Sequence, residues 1–470
     1  MSTDPPHNPS RLDFLRSAGG GLGALALSAL GSTSSGPQHA PRARRVIQIF
    51  CPGGMSHIDT FDHKPVLTKR AGQPFDLDGK LQFFASKPGN CQPSYWPFRQ
   101  HGESGLWMSD LLPRLATCID DMAFIYSMQS NTALHGPGCF QMNTGNTLPG
   151  FPSMGAWVTY GLGSENDNLP AFVVLPDPRG LPPGGIINWG AGFLPAVHQA
   201  TTIDTKNMAN PIADLFPPAE FANPEAERRS LAFMKRLNAM HREPRSGNSE
   251  LDARIASYEM AARLQLSAPE ATELSGESAA TKQLYELDDP DTGPFGRQCL
   301  LARRLAERGV RFVQLYCGAE NTTAKKIRPN WDSHEDVVRD HGYWGRVLDA
   351  GASALLKDLK SRGMLDDTLV ICTTEFGRQP GAQQGKGRDH NAGAFTAWMA
   401  GGGITPGIGY GATDELGFKA VHKITHSYEL HATALHLLGI DHERLTWYHN
   451  GLEQRLTGFE GKGVIHELLA

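Results

Sequence analysis

The chain has no excess of basic residues: 44 Lys and Arg face 49 Asp and Glu, for a net charge of −5. Binding to DNA or RNA draws on a basic patch that meets the phosphate backbone, so no nucleic-acid partner is expected. Beyond residue 44 no apolar run approaches the roughly 20 residues of a membrane-spanning helix, so no integral membrane domain is expected. Cysteine is sparse. Its count is seven, an odd number that cannot pair completely, and Cys91, Cys118, Cys139 and Cys299 lack metal-ligand spacing. Cys51, Cys317 and Cys372 fall in apolar, strand-like runs and read as small buried hydrophobes. Glycine and proline are plentiful, at 52 and 32, which suits long loops between strands better than a helical bundle.

Residues 1–44 read as an export signal and linker. Arg11 and Arg16 flank Leu12 to Leu15, a weakly apolar, Gly-rich run follows from Ala18 to Leu30, and a Ser/Gly/Pro/Gln stretch leads to Arg45. Ser10-Arg11-Leu12-Asp13-Phe14-Leu15-Arg16 resembles a twin-arginine signal with Leu12 in place of the second arginine. The general secretory route and an uncleaved anchor stay open as alternatives. The expected location is periplasmic or extracellular.

From residue 45 onward, short apolar runs near 46, 122, 171, 310, 369 and 394 alternate with helical patterns, the signature of a doubly wound α/β domain with a largely parallel sheet sandwiched by helices. A helical insertion is expected over about 205–292, and within it the texture changes from about 222 to 267. Leu231, Met234, Leu237 and then Leu251, Ile255, Tyr258 and Ala262 recur at helical spacing amid charge, reading as a helical hairpin laid on the sheet with its apolar stripes facing the core.

The chain is organised around Thr368 to Phe395. Leu369-Val370-Ile371-Cys372 reads as a strand buried on both faces, and it empties into Thr374-Glu375-Phe376-Gly377. Open α/β sheets hold their ligands at the carboxyl ends of strands. Other acidic and imidazole groups are expected at the same edge: Asp59 after the first strand, Asp332 and His334 two apart in Trp331-Asp332-Ser333-His334, and His390 before the last strand. Carboxylate and imidazole are ligands for divalent ions, which points to metal-assisted hydrolysis. The bland reading pairs Glu375 with Arg378 or Arg388 and leaves Asp389-His390 as a surface turn.

The order Asp59, Asp332, His334, Glu375, His390 resembles the alkaline phosphatase and sulfatase superfamily. Gly-Gly-Met-Ser-His-Ile-Asp-Thr-Phe-Asp, Trp-Asp-Ser-His, Thr-Glu-Phe-Gly-Arg and Gly-Arg-Asp-His are more narrowly similar to the exported bacterial family called domain of unknown function 1501. The resemblance implies an alkaline phosphatase-like fold over residues 45–470 and one or two divalent ions, zinc or calcium, on Asp59, Asp332, His334, Glu375 and His390. It also implies an anionic ester substrate met by Arg378. Two departures matter. Glu375-Phe376 stands where the superfamily has Asp-His, removing one imidazole. The sulfatase frame Cys-x-Pro-x-Arg reads His135-Gly136-Pro137-Gly138-Cys139, which argues against a formylglycine nucleophile. His135 then serves as a replacement ligand, as a nucleophile, or as a structural residue of its turn. The expected function is an exported metal-dependent hydrolase of phosphate or sulfate esters, acting on a small-molecule or carbohydrate ester. The alternative is a non-catalytic exported relative that binds a carbohydrate or cell-surface partner.

Overall fold

A computed structural model describes residues 36–75, 89–166, 168–207, 212, 223–243, 255, 271–320, 327–459, 461 and 463–470. Residues 37–470 form one compact unit. The six expected strand runs, joined by two short strands that were not expected, form a single eight-stranded sheet: β1 (Arg45–Phe50), β2 (Met122–Met128), β3 (Phe172–Leu175), β4 (Thr201–Thr202), β5 (Phe312–Tyr316), β6 (Thr368–Thr373), β9 (Phe395–Ala400) and β10 (Ile408–Tyr410). The two unexpected strands are β4 and β10. Between β6 and β9 the chain makes a separate hairpin of β7 (Gly377–Gln383) and β8 (Gly387–Asn391). The sheet order is β10-β2-β9-β6-β1-β5-β3-β4.

Period-two alternation sends the two halves of each strand to different cores. Ile47, Ile49, Val313, Leu315, Val370 and Cys372 pack with α4 (Gly293–Glu307) and α5 (Val337–Ser361). Val46, Phe50, Phe312, Tyr316, Leu369 and Ile371 face a second core. There they meet α1 (His135–Thr144), α2 (Met154–Leu162) and α6 (Ser427–Leu437). The sheet is sandwiched as expected. All seven cysteines are buried free thiols.

The sheet is largely parallel, as expected, and one expectation about the helices needs correction. Within the sheet, β9 runs antiparallel to both β2 and β6 while the other pairings are parallel. A parallel return needs a crossover of a dozen or more residues, usually a helix, whereas antiparallel strands can follow a hairpin. The β7–β8 hairpin fills that link and turns the chain back. The correction concerns α3 (Pro224–Arg242): Met234 and Leu237, expected to face a core, are exposed, as are Phe233 and Met240. The expected partner helix over Leu251 to Ala262 lies, apart from Ile255, outside the described residues.

The second core and the loop behind β1 hold histidines that burial keeps neutral. His431 donates Nε2–H to Met142 O at 2.9 Å, and burial pushes its pKa down to about 4. His341 accepts Ser56 N–H on Nε2 at 3.0 Å, and burial pushes it to about 3. A group whose folded pKa lies below its unfolded 6.5 contributes full stability above pH 6.5 and loses it as pH falls through the folded value. Stability should therefore drop below pH 6.5 by about 1.4 kcal/mol per pH unit for each such histidine. Urea unfolding at pH 7.5, 6, 5 and 4.5 reads this directly, and a flat profile would refute it.

Candidate functional site

The antiparallel course of β9 has a consequence for chemistry. Its starting end lies beside the carboxyl end of β6, so His390, at the end of β8, returns to the edge where Glu375 leaves β6. Three more segments reach that edge: Gly53-Gly54 after β1, the start of α1 after β2, and Trp331 to His334 between β5 and α5.

At the centre lies one oxygen, Asp332 Oδ1. Around it stand His334 Nε2 at 2.8 Å, His390 Nε2 at 3.1 Å, His135 Nε2 at 3.3 Å and Arg378 Nη2 at 2.6 Å. Each imidazole is held from behind through Nδ1. His135 Nδ1 meets Glu375 Oε1 at 2.7 Å, His390 Nδ1 meets the Ala133 carbonyl at 2.7 Å, and His334 Nδ1 meets Gln383 Oε1 at 2.6 Å. A carbonyl or carboxylate oxygen only accepts, so Nδ1 is the protonated nitrogen and Nε2 presents a lone pair in the neutral ring. Three Nε2 atoms thus converge, and those of His334 and His390 lie 3.0 Å apart. Two lone pairs face each other at that distance only around a proton or a cation. His135 Nε2 is buried and makes no hydrogen bond.

The donor set fits a metal ion. Candidate ligand atoms of His135, Asp332 and His390 lie within 4.8 Å of one another, with His334 beside them. Around a tetrahedral zinc with bonds of about 2.0–2.1 Å, ligand atoms stand roughly 3.3 Å apart, close to the distances from Asp332 Oδ1 to the three rings and between His334 and His390. Carboxylate or carbonyl partners on the remote nitrogen are the usual support of ligating histidines. Without an ion, the same place suits a proton. Burial alone would lower the His135 pKa, but Asp332 and Glu375 outweigh it and raise it to about 9. His390 is lowered to about 4 by burial and the Arg378 charge. Burial pushes the Asp332 carboxyl up, yet Arg378 and the three imidazoles hold it far below the usual carboxylate range.

The structure brings together His135, Asp332, His334, Glu375, His390 and Arg378, but not all in the expected roles. Glu375, fully buried, accepts from Gly53 N at 2.8 Å and Thr374 Oγ1 at 3.1 Å and turns its Oε1 to His135. It holds His135 through Nδ1 and is not among the residues whose ligand atoms gather within 4.8 Å. Arg378 is also fully buried. Four of its five N–H donors go to the carbonyls of Gly54, Arg388 and Gly53 and to Asp332, and its full burial closes it off from solvent. Asp59 is elsewhere: its carboxylate takes Arg388 Nε at 2.7 Å, Arg388 Nη2 at 3.2 Å and Ser56 Oγ at 2.5 Å. Burial raises its pKa, but the Arg388 guanidinium outweighs that and holds it below the ordinary value. Gln383 and the Ala133 carbonyl were not legible as site groups, since neither carries a motif.

Close backbone contact sets the position of Asp332 and His334. A Cβ on Gly387 would lie 1.8 Å from His334 O and 2.0 Å from His334 C, and one on Gly53 would lie 2.6 Å from Asp332 N. Gly387→Ala should push the Asp332–His334 segment off the hairpin. The expected cost is about 1–3 kcal/mol or more, together with weaker metal binding. Thermal unfolding and metal analysis would show parent values if the close approach were unimportant.

No curated protein matches the sequence. Among solved structures, a sulfatase from Pseudoalteromonas sp. overlays at TM-score 0.34 with 12% identity, covering 90% of this chain and 72% of that one. The phosphonate monoester hydrolase of Agrobacterium radiobacter gives 0.33 and 12%, over 85% and 74%. The alkaline phosphatase of the Antarctic bacterium TAB5 gives 0.34 and 12%, over 80% and 96%. These overlays are loose. The match to a family model is extensive: residues 43–469 fit the model described as protein of unknown function (DUF1501), and the chain belongs to that family.

Proposed function

We propose that the protein is an exported, metal-dependent hydrolase of phosphate or sulfate esters whose ion is held by His135, His334, His390 and Asp332. The observation that carries this reading is the convergence of three Nε2 atoms on Asp332 Oδ1, each ring fixed through its Nδ1. Three nitrogens and one oxygen favour zinc or another borderline transition ion over calcium, whose ligands are oxygens. A bound divalent ion polarises an ester oxygen and acidifies water. The chain's part is to keep its ligands aimed. Glu375 fixes the tautomer of His135, Gln383 that of His334, and the Ala133 carbonyl that of His390. Arg378 balances the charge of Asp332 at the same Oδ1. In this arrangement His135 is a ligand that replaces the imidazole absent at Phe376, and it is not a nucleophile.

The test is elemental analysis of the purified protein followed by a panel of phosphate and sulfate mono- and diesters, for the parent and for His135→Ala. One ion per chain with metal-dependent hydrolysis is expected, and both should fall in the variant. Metal without hydrolysis would favour the non-catalytic, carbohydrate-binding reading. Unchanged metal content in His135→Ala would remove that residue from the ligand set. A milder change is expected for Glu375→Gln: metal affinity should fall roughly 10- to 100-fold, and parent-level affinity in a competition titration would count against its orienting role.

A further inference from the structure

With Arg378 fully buried, a second, more exposed side-chain cation is needed beside the ion to hold an anionic substrate, and this inference rests on the ester-hydrolase reading above. Arg328 lies on the other oxygen of the same carboxylate: its Nη1 is 3.6 Å from Asp332 Oδ2 and its Nη2 is 3.5 Å from Glu335 Oε1. Both contacts exceed hydrogen-bond length. The side chain is 32% exposed, where Arg378 is 0%. Other arginines near this edge are committed: Arg179 to Asp177 at 2.7 Å, and Arg339 to Asp340 at 2.8 and 2.9 Å. The backbone of Arg328 is anchored, with its N–H on Asp340 Oδ1 at 3.2 Å and its carbonyl taking Trp344 Nε1–H at 2.9 Å. A fixed base with a loosely held guanidinium suits a group that closes on an incoming oxyanion, since a planar guanidinium matches phosphate or sulfate oxygens in pairs.

We propose that Arg328 is the substrate-binding residue that grips the phosphate or sulfate group of the ester, beside the Asp332–histidine centre. The probes are inorganic phosphate and sulfate, titrated calorimetrically into the zinc-loaded protein, so that the readout does not depend on turnover. In Arg328→Met, affinity for the anion should fall roughly 10- to 100-fold, the size expected for a charge-assisted hydrogen bond, with zinc content unchanged. Arg328→Lys should keep the charge but not the paired geometry and fall between. Equal anion binding by Arg328→Met and the parent would overturn the proposal, as would a parent that binds neither anion. Anion binding lost in Arg328→Met, combined with no hydrolysis of any ester, would uphold Arg328 and overturn the hydrolase reading. The two can therefore fail separately.

Discussion

Asp332→Ala should hold less than a tenth of the parent's metal after dialysis and should unfold more easily even when metal-free. Both effects follow from one carboxylate. Its Oδ1 is the acceptor around which His135, His334, His390 and the buried Arg378 are arranged. Without it three imidazoles remain, but the nearest charge becomes that of Arg378, which repels a cation in a partly dry site. In the metal-free protein the same change leaves a fully buried guanidinium without its anion, a loss of about 3–5 kcal/mol where such a pair is broken. Its three backbone carbonyl partners should keep the loss near the lower end. Asp332→Asn separates the contributions, since it preserves shape and one acceptor while removing the charge: stability should recover in part and metal should not. Elemental analysis and urea unfolding in chelator report the two effects. Parent-level metal in both variants would refute the proposed centre.

The sequence reading and the structure part company in ways that follow from what a local pattern can carry. β1, β5 and β6 were legible because a strand buried on both faces needs a continuous apolar run, and Arg45–Phe50, Phe312–Tyr316 and Thr368–Thr373 have one. The placement of Asp332 and His334 was legible for a similar reason: a loop behind a buried strand opens at the ligand-binding edge. The direction of β9 was not legible, because an apolar run has the same composition in either direction and only the intervening hairpin decides. Nor was the function of a carboxylate at a strand end. Glu375 and Asp59 both leave parallel strands at the same edge, yet one orients a histidine 240 positions away and the other pairs with an arginine 329 positions away. Which partner a buried charge finds depends on folding distant segments together. The apolar stripe of α3 shows the limit from the other side, since amphipathic spacing identifies the helix but not what lies against it.

The Asp59–Arg388 pair turns that ambiguity into the second large prediction. Both side chains are fully buried, at 0% exposure each, and Arg388 also donates to the carbonyls of Gln379 and Pro93. Removing one partner of such a pair strands the other charge in a medium that solvates it poorly, at about 3–5 kcal/mol, while replacing both by apolar groups of similar volume is often neutral or better. Asp59→Leu and Arg388→Met should each destabilise the protein by several kcal/mol, and the double variant should be distinctly more stable than the sum of the two predicts. The carbonyls and Ser56 Oγ that lose their partners should keep it below the parent. Metal content decides what Asp59 is for. If it served as a ligand, as its position after the first strand suggests, Asp59→Leu would lose metal even under conditions where it is fully folded. If it anchors Arg388, and through it the hairpin that carries Arg378 and His390, the folded variant should retain metal at close to one ion per chain. A folded Asp59→Leu protein devoid of metal would restore Asp59 to the ligand set and overturn its assignment as a structural ion pair.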